Sequence, residues 1–138
     1  IIWHLLRNKK KNHHYSWYIF PQLAGLIPNP SYLSKKYEIK NLNQAQKFLR
    51  DPILGERLRA YTRAVLKLLN YRLPLRKILG NVDARKFRSS MTLFLKAANE
   101  NKNKRDQELF KEIFKKIGYS DYQTIKLLNL QRDRRRGR

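Results

Sequence analysis

The chain contains no cysteine, so disulfides and thiolate metal sites are excluded. Of its three histidines, His13 and His14 are adjacent, which no helix would point along one face, and no metal-ligand spacing is present. No metal and no cofactor are therefore expected. Apolar runs are short: none approaches the roughly 18 residues needed to cross a bilayer. The opening IIWHLLR lacks the length and the preceding basic region of a signal peptide. The expectation is an intracellular protein, neither secreted nor transmembrane. Phosphate loops and G-x-S-x-G elbows are absent as well, and an enzyme is disfavoured. The scarcest commodity is negative charge: ten Asp plus Glu face 32 Lys plus Arg, leaving a net charge of +22.

An AT-rich genome would enrich Lys, Asn and Ile, but the same bias would raise the acidic residues, which are few. A folded domain with this much like charge repels itself and is most easily tolerated beside a polyanion. The excess is not confined to one end, since residues 41–80 hold nine Lys plus Arg against two acids and residues 1–40 hold seven against one. Enough apolar material remains for a core: 41% of the chain is apolar and 12% aromatic, sufficient for one domain of this length.

The densest apolar stretch is residues 14–26, HYSWYIFPQLAGL, read as the anchor on which later helices pack. Before it, Ile1, Ile2, Leu5 and Leu6 suggest a helix ending in the cations Arg7, Lys9, Lys10 and Lys11. After it, Gly25, Pro28 and Pro30 mark a turn-rich loop. Asn41 with Gln44 forms a capping box that predicts a helix over 42–50 with Leu42, Ala45 and Leu49 inward. Asp51-Pro52 offers the cap of the next helix, over 53–69, whose inward residues are Leu54, Leu58, Tyr61, Val65, Leu68 and Leu69. Its other side carries Arg59, Arg63 and Lys67 in one row, with no acid at i+4 to neutralise them. Pro74 and Gly80 bracket a short helix. Asp83 is expected to cap a helix over 84–98 with Phe87, Met91, Phe94 and Ala98 inward. NENKNK, residues 99–104, reads as a loop. A helix over 105–117 buries Phe110, Ile113, Phe114 and Ile117 and stops at Gly118. Ser120 with Gln123 predicts a last helix to about residue 129, with Tyr122, Ile125 and Leu128 inward. The end, residues 131–138, has nothing to bury and is expected to be disordered unless bound. No stretch alternates with period two, so the fold class expected is all-α: one compact domain over 1–130, about seven helices, some short, with a basic C-terminal tail.

WYIFPQLAGL, DPILGERL, ILGNVDARKF and RSSMTLF, in this order and at these separations, resemble the bacterial family of domain of unknown function 1810. The likeness spans roughly residues 14–128. It implies a compact all-α fold and transfers little function, because the family has no settled biochemical role. Three departures stand out. Family members carry a further helix ahead of the segment matching residues 1–11. Their His-Trp-Met-Trp is here His14, Tyr15, Ser16 and Trp17. The Arg-rich end has no counterpart among relatives, which are not notably basic, so the charge reads as an addition to an older scaffold.

The function these features favour is non-sequence-specific nucleic-acid binding, with double-stranded DNA ahead of RNA and genome packaging or chromatin-like compaction, for example in a virion, as the setting. The location would then be nucleoid, nucleus or virion. The mechanism is counterion release by Lys9, Lys10, Lys11, Arg59, Arg63 and Lys67 of the body and Arg132, Arg134, Arg135, Arg136 and Arg138 of the tail. Arg can contact phosphate bidentately where Lys cannot. RNA or the ribosome is the nearest alternative; it would need exposed aromatic rings among the cations, and most Tyr and Trp here sit at inward spacing. A further alternative is a nucleotide-like small-molecule pocket, or an enzyme, at His14, Trp17, Gln22, Arg88, Ser89 and Ser90. Against it, a mid-helix serine usually bonds the preceding turn. A membrane partner is disfavoured, since no apolar helix face is evidently left open.

Overall fold

Hydrogen bonding at helix starts decides where this chain turns. The computed structural model describes residues 20–136, which form seven helices: α1 (Tyr32–Lys36), α2 (Leu42–Arg50), α3 (Leu54–Asn70), α4 (Leu75–Leu79), α5 (Asn81–Asn101), α6 (Lys104–Ile117) and α7 (Tyr122–Arg136). The all-α class stands. Among the described residues the β-type pairing is one isolated parallel bridge, Leu23 with Ile39, in which the Ala24 amide donates to the Ile39 carbonyl and the Ile39 amide to the Gln22 carbonyl, both at 2.8 Å.

The capping box at α2 forms with a small shift. Asn41 Oδ1 accepts from the Gln44 amide at 2.8 Å, and Gln44 Oε1 reaches back to the amide of Lys40 rather than of Asn41. Asp51 caps the approach to α3, its Oδ1 accepting from the amides of Ile53 and Leu54 at 2.9 and 2.8 Å. The Leu54 bond and then the Ile53 bond hold the Asp51 carboxyl below its ordinary pKa, because both favour the ionised form. Between α2 and α3 the backbones nearly touch: a Cβ on Gly55 would lie 2.3 Å from the Leu49 carbonyl oxygen. Only glycine allows that corner. At the next corner Gly80 has φ +86° and lets α4 end where α5 begins.

Four boundaries differ from the sequence expectation. Asp83 does not cap α5; the helix starts at Asn81 with Gly80 as its cap, and Asp83 lies buried in the first turn. Residues 99–101, expected as loop, continue α5. The turn then takes only Lys102, left-handed at φ +56°, and Asn103. The Asn103 amide donates to the Ala98 carbonyl and the Lys102 amide to that of Asn99, which is the Schellman closure of a helix. At α7 the capping residue is Asp121 rather than Ser120, its Oδ2 accepting from the Thr124 amide at 2.9 Å and hydroxyl at 2.7 Å. Of the residues expected inward, Leu128 is buried, with Thr124 beside it, while Tyr122 and Ile125 are exposed.

α7 also continues past residue 129 to Arg136, where disorder was expected. Gln and Arg are good helix formers, and Gln131 Nε2 donates to the Lys40 carbonyl at 2.9 Å, tying the extension to the body.

α5 is the centre, packed against α2, α4, α6 and α7, while α3 packs on α2, α4 and α6. Its expected inward stripe of Phe87, Met91, Phe94 and Ala98 is buried, but so are Ser89, Ser90, Thr92, Leu93 and Ala97. Packing against four helices buries more than the one stripe that periodicity predicts, while Arg85 and Lys96 stay exposed on the outer side. Phe20 from the anchor meets Phe87 edge to face at 4.8 Å between ring centroids, and Phe94 lies between Phe48 and Phe110. On α3, Leu58, Val65, Leu68 and Leu69 are buried and Tyr61 packs against them, whereas Leu54 is left exposed at the helix start.

Candidate nucleic-acid interface

Where negative charge goes decides which cations are left for a partner. Five of the ten acids sit at helix N-termini: Asp51 and Asp121 cap α3 and α7, Glu56 lies in the first turn of α3, and Asp83 and Asp106 are buried in the first turns of α5 and α6. These positions suit a carboxylate, which complements the helix dipole. Burial also takes Asp83 and Asp106 off the solvent-facing surface, where the cations remain.

The row Arg59, Arg63, Lys67 is not the uniform cationic face that its spacing suggested. Arg59 turns inward, its side chain 18% exposed, and its Nε lies 2.7 Å from Asp106 Oδ1. Its Nη2 donates to Asp106 Oδ2 at 3.1 Å and to the Leu49 carbonyl at 2.6 Å. The hydrogen-bonded Asp106 carboxylate raises the Arg59 pKa above its ordinary value, against the smaller cost of burial. Arg63 pairs with Glu56 at 3.3 Å. Both arginines line a groove of about 620 Å³ that also holds Arg105, Glu56, Asp106, Glu108 and Glu112. Three cations among four carboxylates make a poor seat for phosphate. The i+4 rule failed here because the neutralising acids come from i−3, i−7 and another helix. Lys67 is exposed.

A different groove is strongly positive. It holds about 800 Å³ between the start of α2, the outer side of α5 and the end of α7, and its charged lining is Lys40, Lys96, Arg132, Arg134 and Arg135 against Glu100 alone. All five cations are exposed. Arg132 lies 3.7 Å from Asp133, but both side chains are more than half exposed, and such a pair is worth little in water. Asn41, Asn43, Gln46, Asn129 and Gln131 supply amides along the walls, which can donate to phosphate or sugar oxygens. The Gln131–Lys40 bond keeps the two sides together. Sequence reasoning named the three arginines but missed Lys40 and Lys96, which lie 56 positions apart; no local pattern links them.

The residues expected to form a small-molecule pocket do not converge on one among the described residues. Gln22 is buried, with its carbonyl in the bridge. Ser89 Oγ donates to the Arg85 carbonyl at 3.1 Å, the preceding-turn bond expected of a helical serine. Ser90 Oγ is fully buried and has no hydrogen-bond partner. Arg88 Nη1 donates to the carbonyls of Ile117 and Tyr119 at 3.0 and 2.6 Å, so it closes the end of α6. His14, Trp17, Lys9, Lys10, Lys11 and Arg138 lie outside the described residues, and of Arg136 the structure describes only its place in α7. Among the described residues no group of three or more His, Asp or Glu could hold a metal ion, and no helix is long and apolar enough to cross a membrane.

The model of the family "Protein of unknown function (DUF1810)" matches residues 2–128. The chain is also similar to the crystal structure of the conserved hypothetical protein Rv1873 from Mycobacterium tuberculosis, at 34% identity and a TM-score of 0.80 over 93% of this chain and 86% of that one. No curated protein matches significantly. A family match over most of the length, with a shared fold at that identity, leads to one conclusion: this chain belongs to the DUF1810 family.

Proposed function

We propose that this family member binds nucleic acid without sequence specificity through its basic surface, with duplex DNA as the leading substrate and compaction or packaging of a genome as the setting. The observation that carries the reading is the α2–α5–α7 groove, with five cations to one carboxylate. Lys and Arg held there would displace cations condensed on phosphates, which gives affinity for any sequence and a steep dependence on salt. A second reading, single strands or RNA, gains support from tyrosines left outside the core: Tyr119 is 76% and Tyr122 69% exposed.

The test is fluorescence anisotropy of the nuclease-treated protein with a random duplex and matching single strands across salt. Duplex affinity should fall linearly in log-log form. Reversing Arg132, Arg134 and Arg135 to Glu should weaken it more than tenfold at about 0.1 M salt and flatten the slope by about 2 to 3, at roughly 0.9 per phosphate contact. Reversing Arg63, already paired with Glu56, should change it less than threefold. Weak binding by the wild type even at low salt would overturn the proposal.

A further inference from the structure

We infer that the turn between α6 and α7 is a stacking platform for an unpaired nucleobase, centred on Tyr119. This rests on the nucleic-acid reading and deepens it, by naming a part of the ligand that the groove cations do not read. The Tyr119 ring is 76% exposed, yet it is not loose. The Arg88 guanidinium carbon lies 4.3 Å from its centroid, and Arg88 is itself held by the Ile117 and Tyr119 carbonyls. The following residue pair is fixed as well: the Asp121 amide donates to Thr92 Oγ1 at 2.8 Å, and Asp121 caps α7 through Thr124.

The turn is thus pinned to α5 at Arg88 and Thr92, on either side of a ring that contributes little burial. Closing the end of α6 needs only the guanidinium and two carbonyls; it gives no reason for an aromatic side chain at position 119. With one face against a cation, the ring has its other face to offer. Bases stack on such rings with little regard to identity, and an arginine beside the ring adds cation–π attraction. A ring already held in place loses less freedom on binding. Tyr122 and Lys126, both exposed on the outer side of α7, add a second ring and a cation along the same surface.

The experiment compares wild type, Tyr119→Ala and Tyr119→Phe by anisotropy with three labelled probes of equal length: oligo-dT, an abasic oligomer with the same phosphates, and a duplex. Circular dichroism verifies that each variant is folded. Stacking is worth about 1 to 3 kcal/mol per base, so Tyr119→Ala should weaken oligo-dT binding by about 5- to 150-fold, with abasic and duplex affinities within twofold of wild type. Tyr119→Phe, which keeps the ring, should bind oligo-dT like wild type. Equal loss on all three probes, or no loss on oligo-dT, overturns the platform while the nucleic-acid reading stands. Failure of the wild type to bind any of them at low salt overturns both.

Discussion

Changing Asp106 to Asn keeps the shape of the side chain and removes its charge, leaving the Arg59 guanidinium inside without its counterion. The two bonds at stake are 2.7 and 3.1 Å long, and hydrogen bonds to charged groups contribute about 1.5 to 3 kcal/mol each. Breaking a fully buried pair costs about 3 to 5 kcal/mol. Arg59 sits below that limit, since its side chain is 18% exposed and it keeps the Leu49 carbonyl and a 3.6 Å contact with Glu56. The expected loss is therefore about 2 to 3 kcal/mol by the same scale, seen as a lower urea midpoint and a melting temperature reduced by about 6 to 15 °C for a chain of this size. Urea denaturation followed by circular dichroism in about 0.3 M salt measures it, the salt damping the added self-repulsion. The double variant Arg59→Met with Asp106→Leu should recover to within about 1 kcal/mol of wild type, because apolar pairs replace buried ion pairs at little cost. Arg59→Met should also leave duplex affinity within twofold. A loss below about 0.5 kcal/mol in Asp106→Asn would refute the claim that the pair is structural, and a fivefold loss of DNA affinity in Arg59→Met would return Arg59 to the phosphates.

Two further predictions concern packing. Gly55→Ala places a Cβ against the Leu49 carbonyl and should destabilise by about 1 to 3 kcal/mol as the α2–α3 corner is forced apart; urea midpoints within error of wild type would mean the corner is more open. Ser90→Ala removes a buried hydroxyl that has no partner and should raise stability by about 1 kcal/mol. A drop in melting temperature would mean that the hydroxyl is hydrogen-bonded in solution.

Much of the fold was legible along the chain because helix periodicity and capping are local. Asn41 with Gln44, Asp51, Pro74 and Gly118 each act within one turn of the residue that reveals them, and each marks a helix end as expected. The errors came where neighbouring residues compete for one role. Asp121 took the cap that Ser120 could have filled, and α5 started two residues before Asp83 because Gly80 could supply the turn. The family, too, was readable from short apolar motifs, since these build the core.

By itself, the sequence determined that the chain is helical, that it is strongly basic, and where most helices begin and end, because composition and i to i+4 contacts need no third dimension. Which cations gather in an open groove and which are paired with acids depends on the tertiary structure alone. Arg59 looks like its neighbours on α3 until α6 brings Asp106 against it, and Lys40 and Lys96 meet the arginines of α7 only because α2 and α7 both pack on α5. Charge is a property of residues, whereas an electrostatic field is a property of their arrangement, and long-range packing sets that arrangement.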